Sequence, residues 1–453
     1  MNNKELFENA PVGKAVAKMA IPTIITMLVV VIYNMADTFF IGQTGDAMQV
    51  AAVSLATPVF MVFMALGNLF GIGGSSAISR ALGSKSLERA KKICSFCCYG
   101  SLGLGIIIFV CYLGGMNMIL KLIGATENTI GFAREYLTII AVGGPFIMFA
   151  TAFGNILRGE GAAKESMIGN MIGTLTNIVL DPIMILGLGM GVSGAAWATV
   201  IGNVAASAFY VVFFLRKKSI LSISPKEFSM KGGIATDVIK IGIPASLNNI
   251  LMSVSNIVLN NALIQYGDTP VAAMGVALKT NMLVVLLQIG LCAGIQPLIG
   301  YNYGAKNYKR LNSIFKFTGI CAIVMGTILT VVIFFTKAFI IKAFINDAEV
   351  VRIGTQMVIA LQISGPIIGL LFLSINTLQG MGKAIPSLIL TVCRQGIMFI
   401  PMIYILNALF KMDGVIYAQS VADYGSIILG IVICLIILKK AESTGKPLYL
   451  NRM

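Results

Sequence analysis

Asn170, Thr174, Asn177 and Asp181 recur at spacings of four, three and four inside an otherwise apolar stretch. On a helix that spacing makes one polar stripe ending in a carboxylate. A second carboxylate, Asp37, lies toward the outer end of the first apolar run, sharing a face with Thr26 and Tyr33, with Asn34 one turn below it. Thr199, Asn203 and Ser207 repeat at spacing four further on. Neutral amides and hydroxyls in such stretches also tie helices to one another. A carboxylate inside a bilayer is costly, and a stripe that ends in one favours a functional reading. The chain has no histidine, so a moving proton must ride on a carboxylate. Burial favours the protonated acid, and a second acid nearby favours it further. Alternatively, Asp37 and Asp181 with oxygens from Asn177 and Thr199 make an oxygen-rich anionic set suited to sodium. The residues alone leave proton and sodium both open.

Three further charges interrupt apolar stretches: Lys279, Arg394 and Asp423. Arg394 and Asp423 read as a structural ion pair or as snorkelling side chains. In the second half, Asn249, Ser253, Asn256 and Asn260 share one helix face, and Gln288 lies in the next stretch. They are polar without charge. An ion-coupling site in the first half, with substrate contacts shared by both halves, is the expectation. The 25 Met and 25 Phe residues suit a pocket for varied apolar cations, although most are expected to fill core or face lipid. Cys94, Cys97 and Cys98 lack histidine partners and read as small apolar filler rather than a metal site. Gly71-Ile72-Gly73-Gly74 lacks the Lys and Ser/Thr of a phosphate loop, which leaves close helix packing as its role.

The elements that carry these residues must lie in lipid. With 57% hydrophobic and 11% charged residues, the chain departs from soluble composition, where about a quarter is charged. The run from Met19 to Phe40 follows Glu5 and Glu8, is too long for a signal-peptide core and has no small-residue cleavage site, so it reads as the first span. Spans are expected near 19–41, 50–79, 93–118, 132–156, 166–188 and 192–215, and again near 238–264, 271–300, 313–336, 352–379, 386–409 and 414–438. The net charge of +15 would suggest nucleic acid in a soluble protein, but here it follows topology. Alternate loops hold Arg80, Lys85, Arg89, Lys91 and Lys92, then Arg158 and Lys164, then Arg216, Lys217, Lys218, Lys226, Lys231 and Lys240, then Lys306, Lys309, Arg310 and Lys383. The intervening loops are poorer in cations and offset by acids. The positive-inside rule therefore expects an even number of spans with both termini cytoplasmic. The expected location is a bacterial cytoplasmic (inner) membrane, multi-pass, with no nucleic-acid partner.

The second half repeats the first. At an offset of 222, Lys18, Ile21, Pro22 and Asn34 fall on Lys240, Ile243, Pro244 and Asn256. At 221, Gly83 with Lys85 meets Gly304 with Lys306, and Gly144-Pro145 meets Gly365-Pro366. The positions matching Asp37 and Asp181 are Leu259 and Ile400, so only the first copy carries these acids. Six spans per copy give parallel repeats. The expected fold is all-α and integral to the membrane: twelve transmembrane helices in two six-helix bundles related by a pseudo-two-fold along the membrane normal. The expected divisions are 1–215 and 238–438 for the bundles, 216–237 for a cytoplasmic linker and 439–453 for a cytoplasmic tail.

Over essentially its whole length the chain resembles the multidrug and toxic compound extrusion (MATE) family. The matching segments are Tyr33-Asn34-Met35-Ala36-Asp37-Thr38, Leu157-Arg158-Gly159-Glu160-Gly161, Asn177-Ile178-Val179-Leu180-Asp181-Pro182, Gln296-Pro297-Leu298-Ile299-Gly300-Tyr301-Asn302-Tyr303-Gly304-Ala305 and Gln379-Gly380-Met381-Gly382-Lys383. Acids on spans 1 and 5, without counterparts in the second half, look like the DinF-like branch; the NorM-like branch keeps acids on spans 7 and 8. The resemblance implies a cation site at Asp37, Asn177, Asp181 and Thr199 with Asn155 nearby, and Pro22 as a hinge of span 1. It implies export of cationic, amphipathic drugs and dyes by antiport with protons or sodium, driven by an ion gradient and with no cofactor; a monomer is the expectation, although the sequence leaves the oligomeric state open. A flippase for lipid-linked saccharides shares the two-bundle layout, but it calls for a cationic cavity. An enzyme calls for a nucleophile or metal constellation that a chain without histidine does not display.

Overall fold

The computed structural model describes residues 3–43, 46–344 and 347–444. Among them every regular element is a helix. Lipid offers no hydrogen-bonding partner, so a spanning segment must satisfy its backbone internally, and a helix does so residue by residue. After a short α1 (Asn3–Glu8) come α2 (Val12–Gly42), α3 (Ala47–Gly83), α4 (Leu87–Leu122), α5 (Ile130–Gly159), α6 (Ala163–Asp181) and α7 (Gly191–Leu215). The second series is α8 (Ile234–Ile264), α9 (Asp268–Gly304), α10 (Tyr308–Phe344), α11 (Ala348–Gln362), α12 (Ile368–Gly380), α13 (Ala384–Val392) and α14 (Phe399–Thr444). By length and apolarity ten segments qualify as spans. One of these, Ala384–Ser443, is two spans joined at Lys411, where φ is 55° and ψ −136°. Another span is α11 and α12 taken together, interrupted at 363–367. The twelve expected spans are therefore all present, and the protein is a multi-pass membrane protein.

The repeat is visible in the backbone. α2 and α8 each have 31 residues, and α3 and α9 each have 37. Lys85 and Lys306, equivalent in sequence, both adopt φ of 59°, and the equivalent Gly161 and Gly382 also turn at positive φ. α2 runs unbroken through Pro22, with Thr26 Oγ1 donating to the Pro22 carbonyl at 2.9 Å.

The chain divides into two compact units, Leu28–Ser246 on one hand and Met1–Met27 with Leu247–Met453 on the other. The boundaries thus fall inside α2 and α8 rather than at the connector. Within Leu28–Ser246, α3, α4, α5 and α7 close around Phe63, Ile78, Ile93, Leu137, Ile140 and Phe153, all fully buried. The fully buried Cys94 and Cys97 and the nearby Cys98 belong to this packing as free thiols, in the filler role their spacing suggested. Lipid tails are as apolar as these side chains, so close van der Waals contact rather than escape from water holds such helices together. Along α10, Ile320, Val324, Ile328, Val331 and Phe335 are exposed, as lipid-facing residues must be.

The second unit packs α9 against α10, α11 and α12. Its span 10 is where the repeats diverge. Pro145 lies inside an unbroken α5, whereas the equivalent Pro366 follows a break after Gln362. The carbonyls freed there are met by α14: Ser420 Oγ donates to Ala360 and Tyr424 Oη to Ile363 at 3.1 Å. Asp423, between them, accepts from Ser364 Oγ at 2.9 Å, Gln419 Nε2 at 2.9 Å and Arg394 Nε at 3.0 Å. The Arg394–Asp423 pair is buried, the structural ion pair expected from sequence. Removing one partner of a buried pair leaves an uncompensated charge and costs about 3–5 kcal/mol. Arg394→Met is therefore expected to lower the thermal midpoint in detergent sharply, and Arg394→Met/Asp423→Leu to recover part of the loss. Equal midpoints for the single and double variants would refute that account.

Candidate functional site

α6 and α7 meet through two glycines. A Cβ on Gly173 would stand 2.9 Å from the Gly202 carbonyl oxygen, and one on Gly202 would stand 2.6 Å from that of Gly173. This approach lets Asn177 Nδ2 donate to Thr199 Oγ1 at 3.3 Å, with both residues buried. Asn203 donates to the Thr199 carbonyl at 2.8 Å, and Asn170 to the Ser166 carbonyl at 2.9 Å. An amide that spends a donor within its own helix keeps its carbonyl oxygen as an acceptor for a ligand. Tyr33 and Asn34 of α2 complete the polar side, and the whole set lines one cavity of about 180 Å3 with Thr174.

Seven residues picked out by spacing thus share one cavity: Tyr33, Asn34, Asn170, Thr174, Asn177, Thr199 and Asn203. Sequence reasoning missed the wall they face. Phe60, Met61 and Met64 of α3 supply it, with Thr151 of α5 touching Met64 Sδ at 3.3 Å. α3 is apolar all round, so no periodicity marks its cavity face; the Phe60-Met61 pair and Met64 one turn on were the available signal. No Lys, Arg, Asp or Glu lines the cavity among the described residues.

Asp181 lies one turn beyond Asn177, is fully buried, and ends α6 where the π-helical turn Pro182–Gly187 begins. Such turns recur at functional sites because they re-aim the residues around them. Among the described residues Asn177 Oδ1 is buried and accepts no hydrogen bond. A buried amide oxygen short of a donor, one turn from a buried carboxylate, is an electron-rich place. Asp37 falls within α2, but its side chain lies outside the described residues. Asn155 donates to Asn68 at 3.3 Å and to the Thr151 carbonyl at 2.8 Å, and its oxygen is taken by the Arg158 guanidinium.

The residues singled out in the second half do not converge in this way. Asn249, Ser253 and Asn256 are half-buried on α8 and Asn260 is exposed, with Ser253 bonded to the Asn249 carbonyl at 3.1 Å. Gln288 is fully buried between helices, donating to Ala322 at 2.8 Å, and a Cβ on Gly326 or Gly369 would stand 2.6 or 2.3 Å from its amide atoms. It is a packed tie rather than a cavity wall. Lys279 is exposed, with Nζ 5.8 Å from the centre of the Phe344 ring.

Another buried carboxylate stands where α5 exits. Glu160 precedes Gly161, whose φ of 94° turns the chain toward α6, and it accepts from Ser219 Oγ at 2.6 Å and from the Ile220 N–H at 3.2 Å. Burial pushes its carboxyl up to about 7, against those hydrogen bonds.

Long apolar helices enclosing a neutral polar cavity, with a buried carboxylate one turn beyond its wall, are the marks of a membrane transporter. A single family model, MatE, matches twice, over residues 22–183 and 244–405, and the two matches are separated by the 222-residue offset of the repeat. The chain belongs to the MATE family. It is 36% identical over 417 residues to the multidrug export protein MepA of Staphylococcus saprophyticus, covering 92% of both chains. Its structure is similar to the crystal structure of MATE in complex with MaL6, at a TM-score of 0.93 and 27% identity, covering 98% of this chain and 100% of that one. It is equally similar, at a TM-score of 0.93 and 27% identity over 98% of this chain and 99% of the other, to a MOP superfamily transporter from Pyrococcus furiosus. That transporter is described as having a binding pocket of reverse polarity that suggests a different function.

Two predictions follow from this geometry. Gly202→Ala places a methyl against the Gly173 carbonyl and is expected to cost about 1–3 kcal/mol by prising α6 from α7, read as a lower thermal midpoint. Glu160 binds its proton more tightly folded than unfolded, so its stabilising contribution is full below pH 4.5 and is lost as pH rises through about 7. Glu160→Gln should match wild type at pH 4.5 and exceed it at pH 8 by on the order of 3 kcal/mol. A constant difference across that range would sink this reading.

Proposed function

We propose that the chain exports cationic, amphipathic drugs and dyes across a bacterial cytoplasmic membrane by antiport with protons or sodium, both termini lying in the cytoplasm. The observation that carries this reading is the cavity of Leu28–Ser246, in which neutral amides and hydroxyls face Phe60, Met61 and Met64. Apolar and sulfur-bearing walls adapt to varied aromatic cations, and carbonyl oxygens accept their positive edges. Asp37 and Asp181 are the coupling acids, with Asn177 and Thr199 as neutral oxygen donors. The same four side chains would hold sodium, if sodium is the ion. The MepA relative is named a multidrug export protein, and the match covers 92% of this chain. A lipid-linked saccharide would call for cations around its pyrophosphate. None lines this cavity among the described residues.

A carboxylate that loads a proton or sodium on one side and releases it on the other couples export to the gradient, because cavity and acid respond to the same rearrangement. Pro22, in an unbroken α2, removes one backbone hydrogen bond and is the hinge of that rearrangement. The protein acts as a monomer and needs no cofactor beyond the gradient.

Ethidium efflux from proteoliposomes tests this under a pH gradient and a sodium gradient imposed separately. Wild type is expected to transport under one of them, which names the ion, and Asp37→Asn and Asp181→Asn are each expected to lose at least tenfold of the coupled rate. Normal coupled transport in both variants would remove the acids from the mechanism. Absence of dye movement in wild type under either gradient would remove the multidrug reading.

A further inference from the structure

The connector between α7 and α8 is laid along the start of α4. Ser95 Oγ donates to the Ser224 carbonyl and Tyr99 Oη to the Ile223 carbonyl, both at 2.9 Å. Phe228 packs on Phe96 and edge-on to Tyr99, with ring centres 6.3 and 5.9 Å apart. Arg89 donates to the Gly232 carbonyl at 3.0 Å and pairs with Asp237 at 2.7 Å. These ties shape a recess of about 270 Å3 lined by Arg89, Lys92, Ser229, Lys231, Gly232 and Ile234.

The recess is cationic beyond its own needs. Asp237 is engaged by Arg89, while the Lys92 and Lys231 ammonium groups are exposed and have no anionic partner among the described residues. Beside these cations the connector exposes Ile220 (46%), Phe228 (43%) and Met230 (62%). A soluble anion would answer the charge and leave those side chains in water; a lipid answers both. The segment joins one span that ends at Leu215 to another that begins at Ile234, so it lies at a bilayer surface whichever way the protein is inserted.

We propose that this recess binds the phosphodiester headgroup of an anionic membrane lipid, with Lys92 and Lys231 on the phosphate and Phe228 and Met230 seated among the acyl chains. Arg89 is tied to the Gly232 carbonyl and to Asp237, so it shapes the recess while the two lysines meet the ligand. Ser229 adds a hydroxyl donor. Paired with apolar anchors, basic clusters beside spans gain affinity from the negative surface of an anionic leaflet. The site stands apart from the transport cavity, and the proposal holds whatever the exported compound is.

Native mass spectrometry of the detergent-solubilised full chain, titrated with phosphatidylglycerol or phosphatidylcholine, tests it. Wild type is expected to prefer phosphatidylglycerol. Lys92→Gln/Lys231→Gln should weaken that lipid by roughly tenfold or more and phosphatidylcholine, whose choline offsets its phosphate, by less, while Lys92→Arg/Lys231→Arg, which keeps the charge, should retain the preference. Phe228→Ser/Met230→Ser should weaken both lipids. Wild-type affinity in the Gln variant, or loss of preference in the Arg variant, overturns the proposal. So does displacement of phosphatidylglycerol by millimolar inorganic phosphate, which would make the recess a soluble-anion site.

Discussion

Water is missing from the bilayer core, and a backbone amide or carbonyl there must find its partner inside the protein. Most of this chain meets that demand by remaining helical for thirty residues or more, as α2, α3, α4, α5, α8, α9 and α10 do. Departures occur where something else supplies the partner. The interruption between α11 and α12 is tolerated because Ser420 and Tyr424 of α14 reach the freed carbonyls. Asp423 holds Ser364 in the same interruption, and Arg394 keeps Asp423 from being a lone charge in lipid. At this interruption irregular backbone and buried polarity are thus one phenomenon: Ser420, Tyr424 and Asp423 are placed by a demand that lipid cannot meet.

The two repeats answer that demand with different chemistry. In the unit Leu28–Ser246, amides and hydroxyls of α6 and α7 bond within and between their helices and leave a neutral cavity beside a buried acid. In the other unit the buried acid is Asp423, and it carries its counter-ion with it. Asp423 is held by a guanidinium, whereas no Lys or Arg lines the cavity of the first unit among the described residues. The duplicated architecture therefore carries different buried charges in its two copies.

Much of this was legible in the sequence. The spans follow from apolar length, the repeat from Gly, Pro and Lys at fixed offset, and the α6 stripe from helical spacing. Seven of the residues so chosen line one cavity because spacing on a single helix is local information. Gln288, Asn155 and the facing wall were not legible for the opposite reason. Whether a polar residue is a tie or a lining depends on what sits across from it: Gln288 meets Ala322, and Asn155 meets Asn68. Glu160 sat in a quoted motif, yet its burial under Ser219 and Ile220 joins positions about sixty residues apart. No periodicity reports that.

The left-handed backbone positions carry one more consequence. Every non-glycine residue with positive φ among the described residues is a lysine: Lys85, Lys217, Lys306 and Lys411, each at the end of a span. Glycine would relieve roughly 1–2 kcal/mol of steric cost at such a turn. Lysine instead brings a cation to each span end, and at Lys85, Lys217 and Lys306, in loops of the basic set, that is where the positive-inside rule favours one. At these three corners the charge that orients a span and the residue that relaxes a turn compete for one position. Lys411, in a cation-poor loop, keeps the strained turn without that reason.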